Sequence, residues 1–298
     1  MAYETLNLQF ELQIGFLTFN RPEKRNAISP RMIDELMEAL DEIERAPVRV
    51  AILTGAGQSF CSGMDLESLR AMAARSGPPA APEEPAREGV MGLAVRVLKG
   101  DADEAPNESP TLAPAEGDLE SSRHMAAMFR RIYDFPKPLI AAVNGPAIAG
   151  GCGIATLCDF TLAVPEAKFG YTEVRIGFIP AIVSVFLIRQ IGEKRARDLL
   201  LTGRIIDAME ASRMGLVSEI VPAEMLMDRA RALAEQLIQN SPTSLSFTRK
   251  LLREFGKRDL DRELEVAVEE NARIRATPDF REGLAAFLEK RRPVWQKG

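Results

Sequence analysis

Apolar positions recur at spacings of two and then of three and four, dividing the chain into short strands and helices. Residues 10–13 and 16–20 flank Ile14-Gly15 and predict a β-hairpin. Ser29-Pro30 supplies an N-cap with proline in the first turn. Ile33, Leu36, Met37, Leu40 and Ile43 then share one helical face. A β-branched run, 48–53, predicts a strand; 54–59 reads as a turn and 65–74 as a helix. The unbroken apolar run 139–143 reads as a buried strand, stopped by Asn144-Gly145-Pro146. A second glycine turn, Ala149-Gly150-Gly151, leads into a helix over 152–157 and a strand over 159–164. Helices follow at 181–191 and 194–201, then a capping-box start at Asp207 to Glu210 and a strand at 216–221. The rest is helical: 225–239, 242–255, 260–277 and 280–291. This order predicts an α/β core followed by an α-helical region.

One stretch breaks the pattern. Residues 75–119 are rich in Pro, Ala, Gly, Glu and Asp, with at most two candidate helical islands, one near 88–98. Such composition buries little apolar surface. It reads as a surface insertion, with a lid over the ligand site as the functional alternative.

Composition narrows the function. The 298 residues are 46% hydrophobic and 27% charged, ordinary for a globular chain. A net charge of −5 argues against nucleic acid as a partner. The amino terminus lacks a signal pattern, and the apolar stretch 138–163 is interrupted by Asn144, Pro146, Asp159 and glycines. No membrane association and a cytoplasmic location are therefore expected. The cysteines Cys61, Cys152 and Cys158 read as reduced, packed thiols rather than metal ligands. The single histidine, His124, lies on a helix whose apolar face is Met125, Met128, Phe129 and Ile132, so it reads as exposed. A His-based nucleophile system or a His-rich zinc site would have to use it, and no metal is expected.

The chemistry concentrates in residues 138–173. A strand running through glycines into a helix start leaves N–H groups unpaired and aimed at one point. Such a place suits a phosphate or a developing oxyanion. Glu173 follows, within Phe169-Gly-Tyr-Thr-Glu-Val-Arg-Ile-Gly177. Three further stretches accompany it: Phe60-Cys-Ser-Gly-Met-Asp-Leu66, Asn20-Arg-Pro-Glu-Lys-Arg-Asn-Ala-Ile28 and Phe287-Leu-Glu-Lys290. On these segments the chain resembles the enoyl-CoA hydratase/isomerase, or crotonase, superfamily.

The resemblance implies a crotonase-like spiral of ββα units over 1–200, with the insertion at about 75–119, and a helical trimerisation region over 201–298. It implies a homotrimer or a dimer of trimers. The backbone N–H groups of Met64 and Gly150 become oxyanion-hole donors for a thioester enolate, and Glu173 the general acid/base. Arg25, Ala27, Ser62, Gly63, Asp65, Gly151, Gly153, Phe287 and Lys290 become substrate or coenzyme A contacts. The substrate is an acyl-CoA, and the enolate route needs no cofactor. One departure matters: Gly153 stands where the hydratases carry their first glutamate. The expected reaction is hydration of a 2-enoyl-CoA to a 3-hydroxyacyl-CoA. A one-base Δ3–Δ2 isomerase is the alternative, and an inactive acyl-CoA-binding or scaffold member the third reading. Gly153 could also make room for a bulkier acyl group.

Overall fold

The computed structural model describes residues 3–76, 115–256 and 259–295. The insertion, including its island near 88–98, falls outside these residues except at its ends.

β1 (Leu6–Glu11) and β2 (Ile14–Phe19) form the expected hairpin, but it turns at Leu12-Gln13, not at Ile14-Gly15. Leu12 takes a positive φ of 53° and is 95% exposed. Ile14 is buried and registered against Val50 of β3 (Val50–Gly55). Two-sided pairing thus overrides the local glycine signal.

β4 (Leu139–Val143) is buried along its whole length, as its unbroken apolar run requires in a parallel sheet. With β6 (Phe160–Ala163) and β9 (Glu219–Ile220) it completes a six-stranded sheet ordered β1-β2-β3-β4-β6-β9. All neighbours after β1–β2 are parallel. A second sheet joins β5 (Ala147–Ile148), β7 (Lys168–Gly170) and β8 (Ile205–Asp207). β5 and β7 are too short for a period to be read. Strand pairing continues past residue 200, to Ile220.

Helices cover the sheets. α1 (Pro30–Arg45) starts where the Ser29 hydroxyl accepts the Met32 N–H, and it buries Met32, Ile33, Leu36, Ala39, Leu40 and Ile43. Burying each large side chain contributes on the order of 2 kcal/mol. α2 (Leu66–Ser76) follows β3, and α3 (Glu116–Asp134) precedes β4. α4 (Gly150–Leu157) rises from the second glycine turn. Next come α5 (Ala181–Ile191), α6 (Glu193–Thr202) and α7 (Ala208–Met214). The chain ends in α8 (Leu226–Gln239), α9 (Pro242–Gly256), α10 (Leu260–Arg273) and α11 (Pro278–Leu288). No helix among the described residues is long and apolar enough to cross a membrane. α10 packs on α3 and α5, and α11 on α2, so the carboxyl end folds back over the glycine turns. There a second apolar cluster forms from Leu69, Met72, Phe280 and Leu284, edged by Met64, Ile176, Phe178 and Leu288.

Candidate active site

Two glycine turns meet at the carboxyl ends of β3 and β4. Cys61 bridges Ala147 in parallel fashion: the Ile148 N–H reaches the Cys61 carbonyl at 2.9 Å. A Cβ at Gly151 would stand 2.2 Å from that same carbonyl oxygen, so only glycine permits this approach. Gly63 has φ +88°, a backbone conformation that strains any side chain, and a Cβ there would press on Ala149 Cβ at 3.0 Å.

The pairing also aims the donors. Ile28 donates its N–H to the Gly63 carbonyl at 2.7 Å and accepts the Asp65 N–H at 3.0 Å. Met64, between them, therefore turns its own N–H to the opposite side. Gly150 opens α4, where first-turn N–H groups have no partner within the helix. Neither N–H has an acceptor among the described residues. Both residues line one cavity, which encloses about 990 Å³ including its mouth.

Glu173 lines the same cavity and is its one carboxylate among the described residues. It begins a short 3-10 turn, Glu173–Ile176, whose carbonyl accepts the Phe178 N–H at 3.1 Å. The residue is partly exposed overall, yet its Oε2 is sealed from solvent with no hydrogen-bond partner. Burial pushes the carboxyl up to about 7, while its own backbone N–H pulls the other way. Such a group gains or loses a proton near neutrality.

Ser62 and Phe287 also line the cavity, and Phe287, half exposed on α11, marks its mouth. The other anticipated contacts lie outside the wall. Arg25 is exposed, with φ 52°, and its carbonyl accepts the Ser62 N–H at 3.1 Å. Ala27 is buried, with its carbonyl held by Arg21 Nη1 at 2.6 Å. Asp65 caps α2 through the Ser68 N–H at 2.8 Å and pairs with Arg21 at 3.1 Å. Burial raises its pKa, but the bonds from Ser68 and Arg21 outweigh that and hold it below the usual range. Gly63 and Gly151 serve the contact between turns, and Lys290 is exposed beyond α11. His124 sits on the surface with Asp34 at 2.8 Å. Cys61, Cys152 and Cys158 are buried free thiols, pushed up to about 12 by burial.

Gly153 lies under the wall. A Cβ there would meet Phe129 Cε1 and Val183 Cγ1, each at 2.7 Å. Both side chains line the cavity, so the room over Gly153 is filled and adds nothing to an acyl pocket. Sequence reading also missed the polar part of the wall made by Ser121, Asn271 and Arg275. Asn271 and Arg275 lie in an ordinary amphipathic run and its exit turn, where nothing local marks them.

A family model described as enoyl-CoA hydratase/isomerase matches residues 9–93 and 108–298. A Thermus thermophilus protein assigned as an enoyl-CoA hydratase is 40% identical over 281 residues, covering 94% of this chain and 96% of that protein. A crotonyl-CoA hydratase of Syntrophomonas wolfei is 31% identical over 296 residues, 98% of each chain. A crystal structure of an enoyl-CoA hydratase/isomerase from Pseudoalteromonas atlantica superposes with a TM-score of 0.76 at 26% identity, covering 98% of this chain and 100% of that one.

Proposed function

The chain belongs to the enoyl-CoA hydratase/isomerase family, and on that premise we propose that it hydrates a 2-enoyl-CoA to a 3-hydroxyacyl-CoA. The observation carrying this reading is one buried carboxylate sharing a cavity with two unpaired backbone donors. In the proposed step the Glu173 carboxylate takes a proton from water, and the hydroxide adds to C3 as the C2=C3 π bond opens. The charge that reaches the thioester oxygen is held by the N–H groups of Met64 and Gly150. Glu173 then returns the proton to C2, which restores the carboxylate and adds one water overall. Each such donor is worth on the order of 3 kcal/mol in the transition state. The enolate route calls for no metal or redox cofactor, coenzyme A entering only as the substrate's thioester.

Arg25 is offered as a coenzyme A phosphate contact, and Phe287 with Lys290 as contacts at the mouth. Their support is position: an exposed cation on the loop that braces Ser62, and a half-exposed ring in the cavity lining. Buried free thiols support a reducing, cytoplasmic setting. Self-association as a trimer or dimer of trimers is supported by α9, which turns Phe247 and Leu251 to solvent.

The test is a parallel assay of crotonyl-CoA and 3-hexenoyl-CoA at the absorbance of the conjugated enoyl thioester. Loss of signal with crotonyl-CoA is expected. A gain with 3-hexenoyl-CoA and no loss with crotonyl-CoA would replace the hydratase with an isomerase. Silence on both, with acyl-CoA still bound, would leave a binding protein.

A further inference from the structure

The cavity is apolar around Glu173, yet one end of its wall is polar. Ser121, Asn271 and Arg275 stand together there. Asn271 is 6% and Arg275 2% exposed, so the amide and the guanidinium are buried, with the half-buried Ser121 on the same wall.

The arrangement fixes which way the Asn271 amide faces. Its Oδ1 accepts from the Ser122 hydroxyl at 2.9 Å and from Arg275 Nη2 at 3.0 Å. A guanidinium only donates, so the amide oxygen must face it and the NH2 must face away. That NH2 has no acceptor among the described residues. The clamp is rigid: Arg275 Nη1 binds Asp118 Oδ1 at 3.2 Å, and Nη2 binds the Ser122 hydroxyl at 3.1 Å. The guanidinium also lies over the Phe178 ring, 5.6 Å from its centroid. Ser121 adds a hydroxyl from the neighbouring helix.

Position excludes this group from the reacting carbons. Ser121, Met125 and Phe129 form one stripe of α3 along the cavity. Phe129 sits at the oxyanion end, with Cζ 3.9 Å from where a Gly150 Cβ would be. Ser121 lies two turns away, about 12 Å along the axis. Charge narrows the ligand. Asp118 neutralises Arg275 in place, so a carboxylate would enter as a further buried anion, which is costly. A saturated methyl end would leave the amide donor dry and unpaired.

We propose that the acyl pocket ends in a hydrogen-bonding subsite, the Asn271 amide with the Ser121 hydroxyl, and that it selects acyl-CoA substrates carrying an uncharged oxygen acceptor at the end remote from the thioester. This deepens the hydratase reading and rests on it. The test uses saturated thioesters, which bind without reacting. Hexanoyl-, octanoyl- and decanoyl-CoA are compared by titration calorimetry with the same chains bearing a ketone beside the terminal methyl. At one chain length the ketone binds about tenfold more tightly. Asn271→Ala removes the donor without adding charge, its fold checked by thermal melt and retained crotonyl-CoA hydration, and it abolishes the preference. Ser121→Ala, free of that clamp, reduces it. Equal binding at every length overturns the proposal, since water then satisfies the amide. So does a preference that survives both substitutions. Crotonyl-CoA hydration without the preference overturns the subsite alone; the preference without hydration overturns the hydratase reading alone.

Discussion

A carboxyl group with one oxygen sealed from water and unpaired favours its protonated form, and Glu173 is in that state. To take a proton from water it must be ionised. kcat/KM for crotonyl-CoA should therefore rise with pH through about 7 and level off above it. Glu173→Gln should lower kcat by about 10²- to 10⁴-fold with the fold intact. Stability should move the other way. The native carboxyl titrates near 7 and the unfolded one near its ordinary 4.5, so its stabilising effect is present below pH about 4.5 and lost as pH rises to about 7. Thermal melts should place Glu173→Gln above the parent chain at pH values over about 7 and level with it in acid. A Gln variant no more stable at high pH would mean that Oε2 is solvated. Glu173, Met64 and Gly150 were legible because motifs flank them on both sides. Asn271 and Arg275 were not, since their chemistry exists only when α10 meets α3.

At the scale of elements, the glycine turns are legible as breaks, but what fills the space beside them is not. Gly151 touches backbone: a methyl group 2.2 Å from the Cys61 carbonyl cannot be relieved by a rotamer change. Gly151→Ala should cost about 3 kcal/mol or more and displace the adjacent Gly150 donor. Urea unfolding with crotonyl-CoA kinetics checks both, and a stable, active variant would contradict the close approach. Gly153 is the opposite case. From sequence it suggests either a lost carboxylate or a roomier pocket. Phe129, two elements away in the chain, closes both routes. Gly153→Glu should therefore lower stability without raising the hydration rate. A rate gain would mean that Phe129 and Val183 swing aside. The hairpin teaches the same point: Ile14-Gly15 looks like a turn until β3 is placed alongside it.

Across the whole molecule, alternating strands and helices announce an α/β core, and the carboxyl end reads as helical, but not that this end returns to roof the site. That return follows from contacts of α10 and α11 with α3, α5 and α2, which no local pattern encodes. α9 is seated differently. Arg249 Nη2 donates to the Phe135 carbonyl at 2.8 Å, and Arg253 Nη1 reaches the same oxygen at 3.2 Å. Its inner side is thus anchored by charged donors, while Phe247 and Leu251, one turn apart, are 66% and 53% exposed. A helix that faces polar groups inward and large apolar groups outward is suited to a protein partner, and the proposed trimer supplies one. Light scattering on the parent chain should give a trimeric or hexameric mass. Phe247→Glu with Leu251→Glu should release monomers, because the new charges would be buried unpaired at the contact. The proposed reacting groups, Glu173, Met64 and Gly150, all come from one chain. Released monomers should therefore hydrate crotonyl-CoA at nearly the parent rate. A monomeric parent would remove the trimer. Folded but inactive monomers would mean instead that a neighbouring subunit completes the coenzyme A site.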